Sequence, residues 1–371
     1  IIMEEKTASI FEDSLAEFLK PIKALLDDPS ITEVMINGAS EIFYEVKGKI
    51  KKSDCSFESE SALLAAARNI SQFVGKRVSE LEPIVDARLP DGSRICIVIP
   101  PCAKNGTTIA IRKFAKEKLG LKDLIQFGAM SSDMARFLDV ATVLKRNILV
   151  SGGTGSGKTT LLNVLGSRIP GNERTLILED TAELQIKSQH VVRFETKHKD
   201  FEGKGEVTIR DLMKAALRLR PDRIIVGEVR GSEALDLIQA MNTGHDGSMG
   251  TVHANNCFQA MNRLETLCML GDLGVPAQVI RNQVAEAVQM VVQANRLRDG
   301  SRKLTSITEI LGHDGDKYIT REIFRFKQTG WSEESKIIGH HEATGEEPGF
   351  KEMIQSSGMN FPFGIFHKKA A

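Results

Sequence analysis

Apolar and polar residues follow different rhythms along the chain, and those rhythms predict an order of elements. Between Glu12 and Leu26 the apolar positions fall at helical spacing behind acidic caps, predicting a helix interrupted at Pro21 and ended by Asp27-Asp-Pro-Ser30. Ile31 to Ile36, Glu41 to Val46 and Lys49 to Lys51 lie between turns at Asn37-Gly38 and Lys47-Gly48, which predicts short strands joined as hairpins. From Ser59 to Val78, residues Leu63, Leu64, Ala67, Ile70, Phe73 and Val74 are spaced as one helical face and should pack on that sheet. Ile84 to Pro101 reads as a hairpin folded at Pro90-Asp-Gly92, and Thr108 to Phe114 as a further strand. Lys113, Lys116, Lys118 and Lys122, opposed mainly by Glu117, form a polar connector that reads as a solvated linker. It divides the chain into residues 1–118 and 119–371.

The second part alternates strand and helix patterns, which predicts an α/β class with a parallel sheet. Two capped amphipathic helices, Leu121 to Ile125 and Ser131 to Leu144, precede an apolar strand, Asn147 to Val150, and the helix Leu161 to Leu165. Thr175 to Asp180 is a strand ending in two carboxylates. Lys197 to Glu206 is a charged, glycine-punctuated loop, and Thr208 to Leu219 a helix carrying Arg210 and Arg218, with Arg220 just beyond. Asp222 to Arg230 reads as a buried strand with Glu228 at its end, followed by a helix from Ser232 to Asn242 and a short strand, Gly250 to Val252. Gln259 to Leu270 and Ala277 to Gln289 carry core stripes at helical spacing. Strands at Val291 to Gln293, Leu304 to Ile307 and Ile319 to Phe326 suggest a small terminal β unit, and the tail after Thr329 gives no clear element.

The chemistry gathers between the first strand of this part and its helix. Gly152, Gly153, Thr154, Gly155, Ser156, Gly157, Lys158, Thr159 and Thr160 contain G-x-x-x-x-G-K-[ST] in the strand–loop–helix setting that the pattern requires. Glycines let backbone N–H groups curl around phosphates, and the helix that follows presents its positive end. Lys158 should reach the β- and γ-phosphates of a nucleoside triphosphate, and Thr159 should hold Mg²⁺ through its hydroxyl. In parallel sheets ligands collect at the carboxyl ends of strands, so Glu179 and Asp180 should arrive near the γ-phosphate, the alternative being that they cap a helix or turn. Glu228 should fix Mg²⁺ through water or orient the attacking water, and His253, closing another strand, could sense the γ-phosphate. Arg88 and Arg94 flank a turn, and Arg112 ends a later strand; three guanidiniums ahead of a nucleotide domain could supply charge to phosphates.

Length and composition narrow the reading. The 371 residues suffice for about two domains, and 41% hydrophobic with 26% charged residues is ordinary for globular chains. Lys plus Arg equals Asp plus Glu at 49 each, leaving no global field to draw the protein onto nucleic acid or anionic lipid. Aromatics are scarce at 5%, with Trp331 the single tryptophan, which speaks against a stacking surface for single strands. Cys55, Cys96, Cys102, Cys257 and Cys268 are scattered and form no C-x-x-C pair, pointing to a reducing cytoplasm and no zinc site. No apolar run approaches the roughly 18 residues of a membrane span, and no leader pattern opens the chain. Ile1-Ile-Met3 reads as an internal start or an artificial edge, so further sequence is expected upstream.

Four ordered motifs together resemble the secretion ATPase superfamily, the motors of type II secretion, type IV pili and conjugative type IV secretion. They are the glycine loop Gly152 to Thr160, Leu178 to Glu183, Arg220 to Gly231 and Thr243 to Asn255. Ile31 to Gly38, Val85 to Arg94 and the tail further resemble the tight-adherence (Tad/Flp) pilus ATPase of the CpaF/TadA type. The resemblance runs from about residue 20 to about 365. It implies a cytoplasmic homohexameric ring, peripheral to the inner membrane, each subunit an α/β N-terminal domain joined to a RecA-like P-loop NTPase C-terminal domain with ATP between them. In the terms of that family Lys158 and Thr159 form Walker A, Glu179 lies in the Asp box, Glu228 is the Walker B acid, and His253 belongs to the His box. Arg88, Arg94 and Arg112 match the arginines sent to the phosphates. The implied function is ATP hydrolysis coupled to assembly of a Tad/Flp-type pilus, or to secretion, through an inner-membrane platform protein. Alternatives are a conjugative or archaeal-type motor, or a nucleic-acid translocase on a RecA core. The tetracysteine zinc module of type II and pilus-extension motors is absent.

Overall fold

The computed structural model describes residues 17–46, 48–114, 119–197, 199, 203–271 and 274–367. The chain forms two compact units, Ile1–Lys118 and Leu119–Ala371. Residues 12–16 of the first expected helix, Lys47 of the second turn, connector residues Lys116, Glu117 and Lys118, and residues 198 and 200–202 of the charged loop lie outside the described residues.

In the first unit, a 3-10 turn at Lys20–Ile22, with Pro21 in its first turn, leads into the short α1 (Lys23–Asp27). The strands are β1 (Ile31–Asn37), β2 (Ile42–Val46), β3 (Lys49–Lys52), β4 (Ile84–Arg88), β5 (Arg94–Val98) and β6 (Thr108–Arg112). They make one antiparallel sheet in the order β3-β2-β1-β6-β5-β4. Alternation along each strand buries Val34, Ile36, Ile95, Ile97, Ile109 and Ile111 in one core. Helix α2 (Glu60–Phe73) adds Leu63, Ala67 and Ile70 to that core, and Ser59 caps it by accepting from the N–H of Ala62 at 3.1 Å. The helix stops five residues before Val78. Gly75 at φ 71° turns the chain away, although Val78 remains buried.

Strand register also places Arg88 opposite Arg94, and Arg94 opposite Arg112, on the other face of this sheet. Like charges directly opposed destabilise a sheet unless they are compensated. Here Arg88 stacks over Phe114, Arg94 meets Asp86 at 3.4 Å, and Arg112 stands opposite Glu33.

The second unit is a nine-stranded sheet. Its strands are β7 (Ile148–Gly152), β8 (Thr175–Glu179), β9 (Val191–Glu195), β10 (Arg223–Val226), β11 (Met249–Val252), β12 (Met290–Arg296), β13 (Arg302–Asp314), β14 (Lys317–Trp331) and β15 (Ile337–Ala343). The order is β15-β14-β13-β12-β7-β11-β10-β8-β9, and the six strands from β12 to β9 are parallel. The unit's helices are α3 (Leu121–Gln126), α4 (Ser132–Val143), α5 (Lys158–Gly166), α6 (Ile209–Ala216), α7 (Glu233–Asn242), α8 (Cys257–Met269), α9 (Ala277–Ala287) and α10 (Lys351–Ser356).

The central strands read as continuous apolar runs because both their faces are covered. Ile148, Val150, Ile177 and Ile225 pack with α4 and α5, whereas Leu149, Leu176, Leu178, Ile224 and Val226 pack with α6 to α9. Each such side chain contributes about 1.5–3 kcal/mol by leaving water.

The strands expected of a small terminal unit instead continue this sheet. β12 pairs parallel to β7, with Val291 beside Leu149, and β13 to β15 extend it antiparallel. They are much longer than their apolar segments suggest, since their outer halves are exposed and polar. The tail then returns to the core: Phe350, Phe361 and Phe366 join Phe137 and Phe324, with ring centroids 5.6–5.9 Å apart. No helix among the described residues is long and apolar enough to cross a membrane.

Candidate nucleotide site

Parallel pairing brings the carboxyl ends of β7, β8, β10, β11 and β12 to one edge of the sheet. The glycine loop leaves β7 there and enters α5 at Lys158. Gly152 is required by space: a Cβ would sit 2.2 Å from the carbonyl oxygen of Ala294 and 2.4 Å from Ser156 Oγ. Gly157, which caps α5, needs φ 95°, a conformation that side chains resist. Inside the loop three donors converge on the carbonyl oxygen of Gly153. They are Ser156 Oγ at 2.9 Å, the Ser156 N–H at 3.4 Å and Lys158 Nζ at 2.9 Å. Lys158 is thus buried and folded along the loop. Thr159 and Thr160 follow in the first turn of α5, half-buried.

β10 ends at Val226, two residues before Glu228, so the acid stands on a bend beyond the strand. The bend is pinned from both neighbouring strands. Gly227 N–H donates to the Leu178 carbonyl at 2.9 Å, Thr251 Oγ1 to the Gly227 carbonyl at 2.7 Å, and Val229 N–H to the Thr251 carbonyl at 2.8 Å. This holds Glu228 beside His253, which follows β11, with Oε1 3.0 Å from Nε2. The other imidazole nitrogen, Nδ1, lies 3.5 Å from Lys158 Nζ. An ammonium can only donate, so Nδ1 accepts and the ring proton sits on Nε2, facing the carboxylate.

The electrostatics agree with a neutral ring. Burial, then the charge of Lys158, pushes His253 below the ordinary imidazole value, against the pull of Glu228. Burial alone would raise Glu228, but the hydrogen bond and charge of Arg230, with His253 and Lys158, outweigh it and hold the carboxyl below its usual range. Arg230 Nη2 reaches Glu228 Oε2 at 2.6 Å. The site therefore contains a chain of contacts from Lys158 through His253 and Glu228 to Arg230.

Glu179 sits at the same edge but turns inward. Its Oε1 accepts from the N–H groups of Glu183 and Leu184, both at 2.9 Å, so it caps the turn after β8. Oε2 is buried without a hydrogen-bond partner, and burial raises the carboxyl's pKa despite those two N–H bonds. Asp180 accepts from Thr196 Oγ1 at 2.8 Å. Arg88, Arg94 and Arg112 form their cross-strand row in the first unit.

Three residues escaped the sequence reading. Arg230 is two positions from Glu228, yet spacing alone gives no sign that its guanidinium folds back. Arg296 and Arg302 end β12 and begin β13 in register with each other, and both lie against the glycine loop. No local pattern could have signalled a contact across 147 positions.

Known proteins are similar to this chain in sequence and fold. A family model described as "Type II/IV secretion system protein" matches residues 16–330. A candidate conjugal transfer protein of Mycobacterium tuberculosis is 35% identical over 300 residues, covering 79% of this chain and 85% of that protein. Conjugal transfer protein TrbB of Rhizobium radiobacter is 32% identical over 321 residues, covering 85% and 94%. Among solved structures, the ATPase DotB of Legionella pneumophila shares the α/β fold with a TM-score of 0.55 at 20% identity, over 79% of each chain. The matched length and the relatives' identity together show that this chain belongs to the type II/IV secretion system protein family.

Proposed function

We propose that the chain binds MgATP at the glycine loop, hydrolyses it, and couples the reaction to assembly of a Tad/Flp-type pilus, or to secretion, through an inner-membrane platform. The observation that carries this reading is the Lys158–His253–Glu228 chain at the mouth of the loop. Lys158 binds the β- and γ-phosphates. Glu228, or Glu179 through its unshared Oε2, aligns the attacking water, and neutral His253 reports the γ-phosphate through Lys158. Arg88, Arg94 and Arg112 are the groups we assign to offset charge on the phosphoryl oxygens.

Mg²⁺ suits the donors available. The Thr159 hydroxyl and the Glu228 carboxylate are hard oxygen ligands, and both Glu228 oxygens are already engaged, which favours contact through water. Among the described residues no three His, Cys, Asp or Glu side chains gather into a metal-holding group. When bound, the ion would neutralise charge on the β- and γ-phosphate oxygens. In a homohexameric ring on the cytoplasmic face of the membrane, hydrolysis does mechanical work only if open and closed subunits differ in nucleotide affinity.

The test is turnover and nucleotide retention in two variants. Lys158→Ala loses both; Glu228→Gln loses turnover while still holding ATP. Normal hydrolysis by either variant refutes the site.

A second reading is a conjugative motor, favoured by two relatives whose names place them in conjugal transfer. Capturing the membrane partner with ATP-loaded Glu228→Gln protein separates the two. Hydrolysis stimulated by DNA, with binding that falls steeply as salt rises, would instead indicate a translocase.

A further inference from the structure

The hairpin joining β12 and β13 lies against the glycine loop, and its turn is unusually well fixed. Leu297 N–H donates to the Ser301 carbonyl at 2.7 Å. Asp299 accepts from the Ser301 N–H at 3.0 Å and Oγ at 2.7 Å through Oδ1, and from Ile337 N–H of β15 at 2.9 Å through Oδ2. At the base of this turn Arg296 and Arg302 stand opposite each other. Arg302 Nε donates to the Gly155 carbonyl at 2.8 Å, and its Cδ lies 3.7 Å from where a Gly157 Cβ would be. Arg296 Nη1 lies 3.5 Å from the corresponding point at Gly155.

A trans peptide points its C=O and N–H in opposite directions. Drawing the Gly155 carbonyl outward therefore aims the Ser156 N–H inward, where it meets the Gly153 carbonyl together with Ser156 Oγ and Lys158 Nζ. Those three donors are the ones a phosphate oxygen would claim. We infer that the β12–β13 hairpin braces the phosphate loop and that Arg302 is a positioning residue, setting the Gly155–Ser156 peptide for the phosphates of a nucleoside di- or triphosphate. It acts on the loop's backbone rather than on the reacting atoms. The inference rests on the proposed nucleotide site and adds a determinant of how that site is held.

The experiment compares ATP, ADP and AMP affinities, by competition against a fluorescent ADP, for the parent chain, Arg302→Ala and Arg302→Lys. Lysine keeps the charge but puts a methylene where Nε stands, so it separates peptide orientation from electrostatics. One lost hydrogen bond at an exposed arginine predicts ATP and ADP binding about fivefold weaker in both variants, with AMP unchanged. The lysine variant also covers the case in which alanine destabilises the fold, which thermal melting reports. Parental ATP affinity in Arg302→Lys, or an equal loss for AMP, overturns the inference while leaving the site intact. Failure of the parent chain to bind ATP would sink the proposed function itself, and this inference with it.

Discussion

Removing Arg230 tests the electrostatic account of the site. Glu228 is held below its ordinary pKa only because Arg230, with smaller help from His253 and Lys158, outweighs the effect of burial. Two unit charges about 4 Å apart attract by about 1 kcal/mol in bulk water and about 4 kcal/mol at a typical protein surface. The Arg230 side chain is 58% exposed, so screening places its contribution near the lower end, about 1 kcal/mol. In Arg230→Ala the carboxyl should therefore titrate higher, since burial then acts against a weaker opposing set. If ionised Glu228 governs the chemical step, the acid limb of the pH–rate profile should move to higher pH. The assay is phosphate release at saturating MgATP across the acid limb. A fall in rate with the limb unmoved would mean that Arg230 serves the phosphates directly. A limb displaced downward would refute the reasoning outright.

Two further outcomes follow from buried charges away from the site. Burial, then the charge of Lys303, depresses His341 to about 4, so its neutral form is favoured in the fold. The stability this gives is complete above the unfolded value and is lost as pH falls towards 4. Unfolding free energies of the parent chain and His341→Gln should converge over that interval by about 2 kcal/mol, allowing for partial exposure; a gap independent of pH would contradict this. Arg223 is fully buried, pairs with Glu173 at 2.5 Å and donates to the Thr142 carbonyl at 2.6 Å, while its Nη2 has no partner. Glu173→Ala should cost about 3 kcal/mol by stranding that charge, more than Arg223→Met; urea titration showing the reverse order would remove the pair from the account.

What the sequence could reveal was what neighbours along the chain encode. The glycine loop was legible because its strand, turn and helix are consecutive. Glu228 and His253 were legible because each follows an apolar run short enough to be a buried strand. For Glu179 the sequence left a phosphate contact and a turn cap both open, and the cap was decided by the path of residues 180–184 after the strand. The arginines of the first unit were visible, but only strand register shows them in one row. Arg296 and Arg302 were invisible because their partner is brought to them by the parallel pairing of β12 with β7. β15 and α10 escaped because an exposed edge strand and a short polar helix carry almost no apolar periodicity. The terminal strands were found but cut short, because hydrophobicity reports only the half of each that is covered.

The ring cluster formed by Phe137, Phe324, Phe350, Phe361 and Phe366 bears on how this unit is made in a cell. Synthesis delivers Phe137 more than two hundred positions before Phe366, so the nascent polypeptide must shelter that side of the sheet without its final covering. Native closure waits until residue 366 has cleared the ribosomal tunnel. During that interval the greasy surface is open to chaperones and to neighbouring chains on the same message.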